Sequence, residues 1–224
     1  MNDARADILS NILRALGVTG AEAIRRGMVE DRLERAPKGV IPARGQLDPA
    51  GRVTLFQAQA EAAQASVARV AAPAEIPAEI ARYLRDLNLP ATIRMGADPR
   101  LTALPWGTTA LDVSHGASEG HDLNGVSHAL GGVAETGTLA LVSGADNPST
   151  LNFLPDNHIV ILAERDVVGD IEGIWQRLRM AHGKGTMPRT VNFITGPSRS
   201  GDIEQTLLLG AHGPRRLHIV LVRT

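Results

Sequence analysis

A three-layer α/β/α domain with a mostly parallel, mixed sheet, preceded by an N-terminal helical arm, is the fold class the sequence predicts. Three features predict it. From residue 52 onward, short apolar runs alternate with amphipathic stretches, as expected of strands buried on both faces and linked by crossover helices. Around Gly137, apolar segments follow one another with no helix between them, which implies an antiparallel hairpin and hence a mixed sheet. Residues 1–51 hold one clear amphipathic helix followed by breakers and charge rather than core sequence. The expected organisation is therefore an arm over 1–51 and an α/β domain over 52–224.

Ile8, Ile12 and Leu16 share a helical face widened by Leu9 and Leu13, so a helix from about residue 3 to 16 should stop at Gly17. Arg25-Arg26, Pro37-Lys38-Gly39, Pro42 and Asp48-Pro49-Ala50-Gly51 make residues 20–51 a long connection with room for one short helix. Thr54 and Gln57 have capping-box spacing ahead of an Ala-rich helix. A strand near Ser66–Val70 follows, then a helix carrying Ile80, Tyr83, Leu84 and Leu87 with Pro77 in its first turn, then a strand at Ala91–Met95. Further strands are expected at Thr138–Val142, His158–Ala163, Val191–Thr195 and Leu217–Val222. Two helices should separate the last three, one capped by Asp170 and buried through Ile171, Ile174, Trp175 and Leu178, the other running from Asp202 through Ile203 and Leu207 to Gly210.

Composition narrows the chemistry. The chain has 23 Lys and Arg against 24 Asp and Glu, divided 14 against 13 over residues 1–112 and 9 against 11 thereafter. Neither part offers the basic field that phosphate backbones require, so no nucleic-acid partner is expected. With no cysteine, the chain has neither a thiol nucleophile nor thiolates for an iron–sulfur cluster. An acidic N-terminus without an apolar run, and apolar stretches far shorter than the roughly 18 residues of a membrane span, point to a cytoplasmic protein with no span.

Several motifs invite a functional reading. Gly116-Ala117-Ser118-Glu119-Gly120 has the letters of a nucleophile elbow in a poor context: Leu111-Asp112-Val113 before it is a short strand at best, and His121-Asp122-Leu123-Asn124-Gly125 after it reads as a weak helix opening. His115, His121 and His128 match no metal-ligand spacing, and no metal site is expected. Gly196-Pro197-Ser198-Arg199-Ser200-Gly201 has the glycine spacing of a phosphate loop, but Asp202-Ile203 stands where Lys and Ser/Thr are needed. What remains is a turn between a strand and a helix. It is either an anion cradle formed by backbone N–H groups and Arg199, placed at a strand's carboxyl end, or a structural turn in which Ser198 or Ser200 caps the helix. Glu135 in Glu135-Thr136-Gly137-Thr138 is either a buried acid suited to proton transfer or attack, or a hairpin residue pointing to water. His212 in Gly210-Ala211-His212-Gly213-Pro214 caps the preceding helix or faces the same strand ends as Arg199.

Glu135-Thr136-Gly137-Thr138, Leu154-Pro155-Asp156-Asn157-His158-Ile159, Gly196-Pro197-Ser198-Arg199-Ser200-Gly201-Asp202-Ile203-Glu204, and Gly210-Ala211-His212-Gly213-Pro214 with Leu217-His218 together resemble the lactate utilisation protein C family, or LUD domain. The match in order and spacing covers about residues 126–222, with residues 1–125 fitting loosely. The resemblance implies a fold like the sugar-phosphate isomerase and CoA-transferase superfamily. It also implies a cluster-free subunit of a system that oxidises L-lactate to pyruvate with iron–sulfur partner proteins. Gly201 and the glycine-rich stretch 125–133 depart from the family pattern and bear on pocket shape.

The expected site is a pocket for a small carboxylate or other anion, built from Thr136, Gly137, Thr138, Gly196, Ser198, Arg199 and Asp202, with Glu135 or His212 moving a proton. No recognisable motif binds a cofactor, so electrons should pass to an acceptor on the partners. The alternatives are a stand-alone isomerase or transferase acting on a small anionic metabolite through Glu135, and a non-catalytic scaffold that holds the iron–sulfur proteins through its N-terminal arm.

Overall fold

The structure, a computed structural model, describes residues 4–201 and 207–223, without the side chains of 201 and 207–209. Its contacts form two compact units, Met1–Val40 and Ile41–Thr224. The first contains α1 (Ala4–Leu16) and α2 (Ala23–Arg35), neither of which buries a residue. The stripe Ile8, Leu9, Ile12 and Leu16 of α1 is exposed. Ahead of α2, the Thr19 N–H and hydroxyl and the Gly20 N–H all donate to the Glu22 carboxylate, and these bonds lower its pKa to about 2.

The second unit is built on a six-stranded parallel sheet. Its order is β1 (Ser66–Val70), β12 (Arg216–Val222), β7 (Asn157–Ala163), β4 (Asn124–His128), β2 (Thr92–Met95) and β3 (Asp112–His115). The period-two alternation of strands divides its residues between two cores. Ile159 and Ile161 of β7, with Val220 and Val222 of β12, pack against α4 (Ile76–Asp86) and α5 (Pro99–Thr102) through Ile80, Tyr83, Leu84 and Leu101. Val160 and Leu162, with Leu217, Ile219 and Leu221, face the other way. There they meet Val53, Phe56 and Ala60 of α3 (Pro49–Ala62) and Leu139 and Leu141 of a second sheet.

That second sheet has the order β8 (Val167–Val168), β5 (Gly131–Val133), β6 (Thr138–Val142) and β9 (Val191–Ile194). The β5–β6 pair is the antiparallel hairpin around Gly137, and β9 is antiparallel to β6. Ala140 and Val133 turn to the far face, where α6 (Ile171–His182) packs through Ile174 and Leu178. The mostly parallel sheet with helices on both sides is thus as expected. The antiparallel strands, however, form a sheet of their own stacked on the main one beside α3.

Local signals explain most boundaries. Asp170 caps α6 by accepting from the Gly173 N–H at 3.1 Å, and Pro77 sits in the first turn of α4. Three expectations are corrected. The helix expected at Thr54 begins at Pro49, because Asp48 accepts from the Gly51 N–H at 2.7 Å and supplies a cap one turn earlier, while the Thr54 hydroxyl bonds back to the Ala50 carbonyl. The weak helix opening expected over His121–Gly125 does not form: the chain has no helix there and enters β4, the strand between β7 and β2, at Asn124. The last helix is replaced where it is described: Leu207–Leu209 forms β11, paired antiparallel with β10 (Arg199–Gly201). Asp202 and Ile203 lie outside the described residues.

Candidate functional site

The turn that follows β9 is fixed by its glycine. Gly196 has φ +72°, and a Cβ there would lie 2.1 Å from the Ala63 carbonyl oxygen at the end of α3, so the backbone can pass only without a side chain. Beyond it, the Ser198 N–H donates to the Pro214 carbonyl at 2.8 Å and the Gly210 N–H donates to the Ser198 carbonyl at 3.0 Å. The N–H groups of Arg215 and Arg216 both donate to the Asp156 carbonyl, at 2.8 and 3.1 Å. Three sequence motifs, 154–159, 196–201 and 210–214, are therefore stitched together by main-chain bonds.

They surround a cavity of about 300 Å³ whose wall includes Asn152, His158, Ser198, Arg199, His212 and Gly213. Arg199 and His212 are exposed, whereas Asn152 and His158 are buried. The turn follows the carboxyl end of β9, as expected, but β9 lies antiparallel to β6 in the second sheet and not in the parallel one. His158 and its register partner Leu217 stand near the amino ends of β7 and β12, and Phe193, Ile194 and Thr195 reach the cavity from the end of β9 in the second sheet. The crevice lies between two stacked sheets.

A buried polar chain forms its floor. The Ser127 hydroxyl donates to Asn152 Oδ1 at 2.9 Å and lies 3.1 Å from His158 Nε2. A serine whose proton is given to Asn152 can only accept from the imidazole, which assigns the proton to Nε2 and leaves Nδ1 as an acceptor. Full burial pushes the His158 pKa down to about 3, so the ring is neutral. His158 Nδ1 and Asn152 Nδ2 are buried with no hydrogen-bond partner, each at a cost of about 1–3 kcal/mol. Ser127, Asn152 and His158 were not among the site residues read from the sequence. The available signal was parity: His158 shares a face with Val160 and Leu162, which places an imidazole on the buried face toward the second sheet.

Of the expected site residues, Gly196, Ser198, Arg199 and His212 share the cavity wall. Glu135, Thr136, Gly137 and Thr138 are not part of that wall. They form the turn between β5 and β6, joined to the cavity by hydroxyls: Thr136 Oγ1 to Thr138 Oγ1 at 2.7 Å, then Thr138 Oγ1 to Thr195 Oγ1 at 2.7 Å. Glu135 is buried. Its N–H donates to the Gly169 carbonyl at 3.2 Å, its own carbonyl accepts from the Arg44 guanidinium, and its Oε2 has no hydrogen-bond partner. Gly137, at φ +67°, passes so close to α3 that a Cβ would lie 2.3 Å from the Ala60 nitrogen. The glycines of two motifs thus seat both turns on the last turns of the same helix.

Chemically, the cavity offers a guanidinium and an imidazole at its rim and neutral polar groups at its floor, an arrangement suited to a small anion. Among the described residues no group of three or more His, Asp or Glu side chains is disposed to hold a metal, and no helix is long and apolar enough to cross a membrane. The elbow-like sequence at Gly116–Gly120 joins β3 to β4, and its Ser118 is buried, with its hydroxyl accepting from the Gly120 N–H at 3.3 Å.

Comparison with known proteins places this geometry in a family context. The LUD domain family model matches residues 123–222. Lactate utilization protein C of Geobacillus sp. (strain WCH70) is 38% identical over 91 residues, covering 40% of this chain and 38% of that protein. The protein of the same name from Bacillus subtilis (strain 168) is 36% identical over 91 residues, with the same shares of each chain. The matched segment therefore spans about two fifths of the length of these relatives. A crystal structure of a DUF162 family protein from Deinococcus radiodurans superposes with a TM-score of 0.56 at 25% identity, covering 79% of this chain and 99% of that one. The resemblance carried by the four motifs is borne out over residues 123–222, the segment that matches the LUD domain.

Proposed function

We propose that this chain serves in lactate utilisation, holding a small carboxylate such as L-lactate in the cavity beneath Arg199 and passing its reducing equivalents to iron–sulfur partner proteins. The observation that carries this reading is the convergence of three distant motif segments on one cavity with Arg199 and His212 at its mouth. Arg199 is the carboxylate anchor, since a guanidinium can meet both carboxylate oxygens at once. His212 is better placed than Glu135 to take the hydroxyl proton, because it lines the cavity and Glu135 does not. His158, neutral and fixed by Ser127, would orient the bound acid from below.

Conversion of lactate to pyruvate removes two electrons and two protons. One proton leaves the hydroxyl toward His212. The other leaves the adjacent carbon with the electron pair, as a hydride equivalent. A hydride needs a two-electron acceptor, which a cluster alone is not; with no cysteine in this chain to ligate a cluster, this reading puts both that acceptor and the clusters that take its electrons one at a time on the iron–sulfur partners implied by the resemblance.

Titration calorimetry of L-lactate and pyruvate into the purified chain tests the binding step. Saturable binding should weaken by about 1.5–3 kcal/mol, roughly ten-fold or more, in Arg199→Ala. Equal affinity in the variant removes Arg199 from the site. Co-purification from the native host tests the partner step: iron–sulfur proteins should travel with the chain, and lactate oxidation should require both.

A further inference from the structure

A second cluster of polar groups, apart from the Arg199 cavity mouth, is set by the pairing of the edge strand. Ser66 of β1 is the register partner of His218 of β12, and Ser66 Oγ lies 2.8 Å from His218 Nδ1. On the other side of the ring, the buried Nε2 makes no hydrogen bond, with Glu79 Oε1 of α4 at ion-pair distance, 3.3 Å away. The ring plane is fixed by Tyr83, stacked on it with centroids 3.9 Å apart and planes 10° from parallel. Glu79 is in turn held by the Arg82 guanidinium, at 2.8 and 2.5 Å. The Leu217 carbonyl, at 3.4 Å, is the more distant acceptor for the serine hydroxyl, so the imidazole is the better one.

Exposure is divided as nucleophilic chemistry requires. His218 is only 2% exposed, whereas Ser66 is exposed and opens into a cavity of about 360 Å³ whose wall also includes Gln64, Tyr83, Arg215 and Arg216. Burial pushes the His218 pKa down to about 4, against the opposing pull of the Glu79 carboxylate, so the ring is neutral near pH 7. Val220 and Val222 share its face, and an apolar residue at 218 would continue that core without the cost of burying an imidazole.

We propose that Ser66, His218 and Glu79 form an acyl-transfer site for small anionic esters or thioesters. Ser66 is the nucleophile, His218 the general base, Glu79 a positioning residue, and Arg215 and Arg216 bind the anionic acyl group. The Ser66 oxygen bonds to the acyl carbon as its proton passes to His218 Nδ1. The carbon–oxygen or carbon–sulfur bond to the leaving group then breaks, and Nδ1 returns the proton to that group. Water repeats the sequence on the acyl-serine, releasing the acid and restoring the hydroxyl. No oxidant or reductant is involved, and the proposal does not rest on the lactate reading.

The full chain is incubated with a fluorophosphonate probe and assayed with the p-nitrophenyl monoester of succinic acid beside p-nitrophenyl acetate. Peptide mass spectrometry should find the probe on Ser66, and the succinyl ester should be the better substrate. Ser66→Ala, an exposed change that leaves the core intact, should lose the label and about 100-fold or more of the turnover. In Glu79→Gln, checked for an unchanged melting temperature, the lower limb of the kcat profile against pH should move, which loss of packing alone would not cause. If Glu79→Gln melts early, Glu79→Asp should recover both stability and the native profile. Arg215→Ala with Arg216→Ala should raise KM for the succinyl ester by a larger factor than KM for the acetate, and an equal rise for both would remove the two guanidinium groups from acyl recognition. An unlabelled Ser66 in folded protein, or ester turnover equal in native protein and Ser66→Ala, overturns the assignment.

Discussion

Replacing Gly137 with alanine separates a docking role for the Glu-Thr-Gly-Thr turn from a purely chemical one. The new Cβ would stand 2.3 Å from the Ala60 nitrogen and 2.6 Å from the Gln59 carbonyl carbon, both main-chain atoms of α3 that cannot rotate away. The φ of +67° adds the left-handed penalty, about 1–2 kcal/mol for a residue with a side chain. Forced separation of packed elements costs about 1–3 kcal/mol more. The sum, about 2–5 kcal/mol, corresponds to a melting temperature lower by roughly 5–15 °C for a unit of this size. Gly144 is the control, because a Cβ there meets nothing nearer than the Asp146 nitrogen at 3.9 Å. Thermal and urea unfolding of the full chain measure both variants. Gly137→Ala within about 0.5 kcal/mol of the native protein, like a surface change, would refute the seating of this turn on α3.

Further changes probe other parts of the structure. His158 and His218 are neutral when folded, with pKa values pushed down to about 3 and about 4, and both recover about 6.5 on unfolding, so the unfolded chain binds more protons between those limits. Their contribution to stability is therefore intact above about pH 6.5 and is lost as the pH falls toward 4, with a slope near pH 5 of roughly 2–3 kcal/mol per unit. Urea midpoints should show this slope, and His158→Leu should roughly halve it; an unchanged slope would mean that His158 is protonated in the folded chain. Asp48→Ala should cost about 1 kcal/mol as loss of the α3 cap, with Thr54→Ala costing little; the reverse order would return the helix start to Thr54.

Elements whose burial and local signals agree were legible in the sequence. The β7 run His158–Ala163, the stripe of α4 and the Asp170 cap of α6 each state their place through periodicity or capping. The strand β4 was not, and β5 only as the first arm of the hairpin around Gly137 without bounds, because Gly125, Gly131 and Gly132 carry no side chains to show a period. Glycine is needed there for a reason that lies elsewhere in the chain: at Gly132 a Cβ would lie 2.7 Å from both Leu162 and Phe56. The same long-range cause hid the second sheet. Nothing local in Val191–Ile194 distinguishes a parallel strand followed by a helix from an antiparallel one followed by a hairpin. At the site, Arg199 and His212 were readable as exposed groups in glycine-bounded turns. The floor was not, because the burial of Asn152 and Ser127 comes from two sheets closing over them.

Backbone NMR of the uniformly ¹⁵N-labelled chain, titrated with L-lactate, tests most directly whether the converging motifs form one binding site. Saturable shifts should concentrate on Thr195–Arg199 and Ala211–Gly213, with smaller ones at Ser127, Asn152 and His158, and the amides of β3 should stay still. Shifts that never saturate, or a saturating set centred away from the cavity beneath Arg199, would contradict the proposed site.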